Sequence, residues 1–505
     1  MGEGWRPGRR GPIMVAMAEQ EQPSPVPPGT TGTEPPAAAA APAPSPSGLR
    51  TPAGRRPPTL AGLVAWSVAL GLVLLIAVSQ NLDGQGAGAL SADERDAAGA
   101  GGMLEVASKY AVAVKEQGGS GATGLVIEKI RPMVGRPAEE LRLAILEAEL
   151  AGEGGPALKR LAEIDQPGPQ TADDVRVLRE LYHDGPGAVD EAERQRLLER
   201  HGWFGRLALS FESPAQSPSR VEVIGEATRV LRVVVAGTLV GAGMMLVGLA
   251  LFVTAAVLVA TGSLRPRFIR PRPGPTIGIE TFAVFLVAFL ALQLVLGLLE
   301  AAAPGSERYT ASLVWVLLLV PLWPLVRGVS LADLRTYLGW RADRGVLREM
   351  GAGALGYLAG LPVVATGIAL TLLLLLIRDW VTGDPDQPAP THPLPDRLAS
   401  GDPLTLLQIG LLAVAWAPIV EETIFRGALY SQLRSRLGVL GSGLISALFF
   451  AAVHPQGWAA IPALGAIGLN FALLREWRGS LVASMTAHAI NNGLLVLLLL
   501  LVMAG

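Results

Sequence analysis

The sequence predicts an all-α polytopic membrane protein: one N-terminal transmembrane helix, a helical extracytoplasmic domain, then a core of eight further spans. Three observations carry this reading. Half of the 505 residues are hydrophobic and only 17% are charged, and the mean hydropathy is +0.42, too apolar for an ordinary soluble chain. Apolar runs near the length that crosses a bilayer recur along the sequence, and the loops between them alternate in charge.

Residues 1–58 are rich in Pro, Ala, Gly and Ser ("EPPAAAAAPAPSPSG"). That composition buries too little apolar surface to offset the entropy of ordering, so a disordered cytoplasmic tail is expected. No signal peptide is read, because the first apolar run starts only after "RRPP". "MGEGWR" lacks the Ser or Thr that a myristoylation signal carries at its sixth position. The first span is placed over 59–80, around "LAGLVAWSVALGLVLLIAVS". Arg55 and Arg56 ahead of it put the N-terminus in the cytoplasm.

Residues 81–228 are charged and helix-patterned. "SADE" at Ser91 and "TADD" at Thr171 read as helix N-caps, and "LRLAILEAEL" runs into a stop at "AGEGGP". A small soluble helical domain on the outer side is expected. Residues 229–505 then carry apolar runs at about 233–261, 280–300, 310–326, 350–377, 403–425, 439–454, 458–474 and 480–503. The loop "SLRPRFIRPRPGP" and the loop with Arg335, Arg341, Arg344 and Arg348 are basic, whereas "DWVTGDPDQPAPTHPLPD" is mostly acidic. Alternate loops thus follow the positive-inside rule, which also puts Arg434, Arg436, Arg475 and Arg478 on the cytoplasmic side.

With no cysteine in the chain, disulfides, iron–sulfur clusters and thiol nucleophiles are excluded. A net charge of −2 gives no basic footprint for nucleic acid. Catalysis, if present, has to use Glu, Asp, His, Ser or Lys. Two of the five histidines, His454 and His488, sit in apolar surroundings, while His183, His201 and His392 have no partner pattern and are expected at the surface.

Counted from the turns at Arg434 and Arg478, the residues Glu421, His454 and His488 all lie roughly 15 to 20 Å inside one membrane surface. Glu422 and Arg426 are spaced i, i+4 and can pair on one helix face, which leaves Glu421, about 100° away, without that partner. Phe450 and His454 share the same spacing, as do His488 and Asn492, an imidazole and an amide aimed at one point. The ordinary reading of each feature is a solvated helix end, a capped break or polar glue between helices. Each charge at bilayer depth costs at least about 2.5 kcal/mol, so three such clusters at one level favour a site.

A carboxylate beside an imidazole can hold and deprotonate a water, and an imidazole with an amide can donate to a developing oxyanion. That outlines amide hydrolysis. Two histidines and a glutamate would also suit zinc, and without HExxH the spacing leaves the metal open. No serine stands in an elbow-type motif beside a histidine.

"EETIFRG", "FAAVH" and "HAINN", in that order, resemble the EExxxR, FxxxH and HxxxN motifs of the CPBP intramembrane proteases. That family comprises the CAAX proteases and bacteriocin-processing enzymes and includes the type II CAAX prenyl endopeptidases. The resemblance is firm over about 350–505 and extends by span count from about 230. It implies that Glu421 and His454 activate a water, that His488 and Asn492 stabilise the oxyanion, and that Glu422, Arg426 and Phe450 orient the site. A metal-independent glutamate mechanism is favoured, with zinc on Glu421, His454 and His488 as the alternative. The expected function is an intramembrane endopeptidase in a bacterial inner membrane, whose partners are the lipid bilayer and a peptide or protein substrate, lipid-modified ones included. A non-catalytic scaffold or immunity-type relative is the alternative, and a proton-coupled transporter the third reading.

Overall fold

The computed structural model describes residues 60–82, 102–118, 120–131, 134, 136–164, 168–272, 276–303, 305–306, 310–383 and 403–503. The expected tail at 1–58, the cap at Ser91 and His392 lie outside them. Every regular element among the described residues is a helix. Helix α1 is Leu60–Leu82. The next seven helices build a small bundle: α2 Gly102–Glu116, α3 Ser120–Ile130, α4 Pro137–Ala151, α5 Gly155–Glu163, α6 Pro169–Asp184, α7 Glu191–His201 and α8 Trp203–Leu209. Its apolar core gathers Leu104, Leu143, Ile145, Leu178, Trp203 and Phe204, all nearly or fully buried.

Local chemistry explains several boundaries. α4 stops at Gly152, which adopts a left-handed φ of 75° and returns its N–H to the Ala148 carbonyl, the αL ending that "AGEGGP" predicts. α6 begins earlier than Thr171: Pro169 takes the first helical position and Gly168 stands as the N-cap. His201 is not a surface residue. It is 4% exposed, with Nε2 3.2 Å from the Asp174 carboxylate, because α7 packs this last-turn side chain against α6.

Helix α9, Pro218–Ala260, runs 43 residues without a break, about 65 Å, twice the hydrocarbon thickness. Its first turns belong to the small bundle: Val223 and Ala227 lie in that core, and Arg220 pairs with Glu149 at 2.6 Å. Its later turns expose Leu239, Leu246 and Val253, as a lipid-facing helix would. The boundary expected at 228 therefore falls inside one helix, with no linker there.

The remaining elements are α10 Ile277–Ala302, a 3-10 segment Ala311–Leu322, α11 Trp323–Val326, α12 Leu331–Leu338, α13 Val346–Thr382, α14 Pro403–Arg434, α15 Val439–Ala452, α16 Ile461–Arg478 and α17 Leu481–Met503. Among the described residues, seven helices are long and apolar enough to cross a membrane, or eight if the pair Ser312–Val326 and Leu331–Leu338, bent by 118°, counts as one span. The reading from sequence had nine. The bent pair accounts for one of the two departures and α15 for the other: at 14 residues it reaches about 21 Å, short of a bilayer core of about 30 Å.

Close helix approach sets the position of the last spans. A Cβ on Gly360 of α13 would sit 2.1 Å from the Asn470 side chain, and one on Gly353 would sit 2.4 Å from the Ala483 carbonyl. Small residues thus let α16 and α17 lie against α13. α1 is part of the same assembly: Ala65, Ala69, Val73 and Ile76 share a core with α10, α14 and α15.

Candidate active site

α14 is not a uniform helix. It widens into π-helical turns at Leu412–Trp416 and Glu422–Leu429, separated by the α-helical turn Ala417–Glu421. In the first of these the Ala417 N–H reaches back five residues to the Leu412 carbonyl. The next bond in that register would run from residue 418 to Ala413, but Pro418 has no N–H to give. The Ala413 carbonyl instead accepts from Asn492 Nδ2 at 2.9 Å. A proline in α14 thereby ties α17 to the helix that carries both glutamates.

Glu422 and Arg426 form the fully buried centre. Arg426 Nη1 donates to Glu422 Oε1 at 3.0 Å, with both side chains 0% exposed. Its Nη2 donates to the Gly468 carbonyl of α16 at 3.0 Å. The guanidinium also lies over Phe450 at 4.4 Å and Phe471 at 5.3 Å, contacts that gain strength when desolvated. Glu422, the Gly468 carbonyl and these ring faces stand in for the water that this cation gives up, while its Nε is buried without a hydrogen-bond partner.

Glu421 faces the other way. Its Oε2 lies 3.9 Å from His454 Nε2 and 3.8 Å from His488 Nε2 and is buried without a hydrogen-bond partner. Both imidazoles are oriented from behind. His454 Nδ1 is 2.5 Å from the Phe450 carbonyl; a carbonyl can only accept, so Nδ1 carries the proton and Nε2 of the neutral ring presents a lone pair. His488 Nδ1 is 3.0 Å from Glu422 Oε1, which assigns its proton the same way, and its ring stacks on Phe471 at 4.9 Å. Glu421 Oε2 and the two Nε2 atoms thus face one another. Glu421 and His454 remain 17% and 22% exposed, against 4% for His488, so the reachable edge of the site is the Glu421–His454 edge.

The residues singled out from sequence thus divide into two groups. Glu421, Glu422, Arg426, Phe450, His454 and His488 come together around one point. Asn492 is held from the side of α14: one amide N–H donates to the Ala413 carbonyl at 2.9 Å, and its Oδ1 accepts from Asn491 at 3.2 Å. As for zinc, no group of three or more His, Cys, Asp or Glu among the described residues is placed to hold a metal ion, so no step is derived through one. Sequence spacing missed Phe471 and the Gly468 carbonyl, which meet their partners only across helices. Pro418 was legible as a ladder break inside an apolar run.

Fold and site together define an integral membrane protein with a polar cluster enclosed by its helices. Residues 403–494, which hold all three motifs, match the family model of the type II CAAX prenyl endopeptidase, Rce1-like. The match covers that segment alone, which is similar to this endopeptidase family. No curated protein and no solved structure matches the chain.

Proposed function

We propose that this chain is an intramembrane endopeptidase that hydrolyses a peptide bond of a membrane-associated peptide or protein. The observation that carries the proposal is the convergence of Glu421 Oε2 with the Nε2 atoms of His454 and His488. Separations of 3.8 and 3.9 Å are too long for direct hydrogen bonds of about 3 Å. A water between Glu421 Oε2 and His454 Nε2 can donate one proton to each.

In this reading Glu421 and His454 take a proton from the water as it attacks the scissile carbonyl. His488 keeps Nδ1–H on the Glu422 carboxylate, and in its doubly protonated form it also carries Nε2–H. The His488 Nε2–H can then donate to the oxyanion. Asn492 keeps one N–H beyond its bond to Ala413 for the same task, and Glu422 and Arg426 brace the imidazole. The protein is read as lying in a bacterial inner membrane with its N-terminus and the Arg434–Arg478 end in the cytoplasm, and residues 81–228 as an extracytoplasmic domain.

The test is cleavage of a peptide library, with and without a prenyl group, by wild type and Glu421→Ala in proteoliposomes. Wild type is expected to cut and the variant not to. Equal cleavage by both would sink the catalytic assignment, and binding without cleavage by either would favour a scaffold. Activity that survives a strong chelator is expected; loss restored by zinc would replace the water mechanism with a metal one.

A further inference from the structure

We propose that the ends of four spans form a binding site for the anionic headgroup of a membrane phospholipid, held by Arg267, Arg341, Arg344 and Arg478. This site lies away from the polar cluster and does not depend on the peptidase reading. α9 ends at Ala260, α13 begins at Val346, and α16 and α17 meet at the turn Gly479–Ser480. Two separate loops are fastened to that turn. The N–H groups of Arg267 and Phe268 donate to the Glu476 carbonyl at 3.0 and 3.1 Å, and Leu481 N donates to the Gly339 carbonyl at 2.9 Å. Ser480 Oγ donates to the Arg341 carbonyl at 2.6 Å. Gly479, at φ 67°, has no room for a side chain: a Cβ would lie 2.6 Å from the Arg267 carbonyl and 3.4 Å from Arg341 Nη2.

The charge in this cluster does not balance. Glu349 is taken by Arg478 at 2.7 and 2.8 Å, and Asp343 pairs with Arg341 at 3.4 Å. Glu476 is occupied by Arg434 and Tyr430. Among the described residues no carboxylate pairs with Arg267, Arg344 or Arg475. Arg475 is 2% exposed; its Nε has no hydrogen-bond partner, Nη2 reaches only the Tyr337 carbonyl at 3.4 Å, and the guanidinium lies over Phe268 at 4.8 Å. A positive charge is thus locked behind a surface that is already positive. Arg267 is held below the ordinary guanidinium range, first by desolvation and then by Arg344 and Arg478, with Glu349 opposing. A ligand anion would relieve that repulsion.

The ligand's other half is also indicated. Leu347 is 82% exposed and Val346 54%, both in the first turn of α13, and Ile269, on the loop that carries Arg267, is 44% exposed. Exposed apolar side chains beside unbalanced cations at the ends of spans fit an amphiphile: acyl chains against the apolar residues, phosphate against the arginines. Free phosphate would use only the second half.

The experiment uses the full chain, delipidated in neutral detergent, with lipid retention read by native mass spectrometry. Phosphatidylglycerol and phosphatidylcholine are titrated separately, each with and without inorganic phosphate. Wild type is expected to retain phosphatidylglycerol at least tenfold more tightly than phosphatidylcholine, and each of Arg267→Gln, Arg341→Gln and Arg344→Gln to cut that affinity by about fivefold. Exposed Arg344→Gln serves as the variant that leaves packing untouched, and Arg344→Lys is expected to retain the lipid. Equal retention of both lipids by wild type would overturn the proposal, as would an unchanged affinity in all three glutamine variants. Displacement by inorganic phosphate at matched concentration would mark the site as one for free phosphate and overturn the lipid assignment.

Discussion

The small helical bundle and the membrane site both rely on arginine–carboxylate pairs, yet they treat charge in opposite ways. In the bundle, Arg176 is 47% exposed and shared among Asp173, Glu180 and Glu193 at 2.7 to 2.9 Å. Water can replace any of these partners, so each contributes little. In the site, Arg426 is 0% exposed and held by Glu422, the Gly468 carbonyl and aromatic faces, and nothing else solvates it. A buried charge is fixed by all its partners at once, and removing one leaves it uncompensated.

The largest expected effect comes from the group that this pairing leaves over. Glu421→Gln should lower peptide cleavage by about 10² to 10⁴-fold, the usual range for loss of a general base. Its amide can donate to a facing imidazole lone pair, so thermal stability should hold; a variant that both loses activity and unfolds would remove the distinction between Glu421 and Glu422. Next is Glu422→Ala, which strands the Arg426 guanidinium. A destabilisation of about 3 to 5 kcal/mol is expected, readable as a fall in melting temperature in detergent. A loss under 1 kcal/mol would mean that the aromatic contacts alone suffice.

A smaller effect tests the link between α14 and α17. Asn492→Ala should cost about 1 to 3 kcal/mol by leaving the Ala413 carbonyl unsatisfied. Adding Pro418→Ala restores an N–H in register with that carbonyl and should recover part of the loss in a double-mutant cycle. Strict additivity would show that the two sites are not coupled. Smallest of all, Arg176→Ala in the bundle should shift stability by no more than about 0.5 kcal/mol, checked by thermal melting. A cost near that of Glu422→Ala would collapse the contrast between the two regions.

Much of the fold and half of the site's logic were legible in the residues. Periodic spacing told that Glu422 and Arg426 would pair, because i, i+4 neighbours share a helix face whatever surrounds them, and the turn counts put Glu421, His454 and His488 at one level. Span counting was less secure. The run at 439–454 is apolar enough to resemble a span, but Val453 and His454 leave the helix and Pro455 follows, so α15 stops short. His201 escaped too, since nothing in "LLERHGW" announces Asp174, twenty-seven residues earlier.

By itself, then, the sequence determined that the chain is helical and membrane-embedded, and which residues are chemically able to act. These follow from composition, period and motif, which are local properties. Tertiary structure alone decided what faces what: that Asn492 donates to a carbonyl freed by Pro418, that Phe471 stacks on His488, and that arginines from two loops meet around Gly479. Such contacts depend on how closely helices approach, and helix approach is set by packing between segments far apart in the chain.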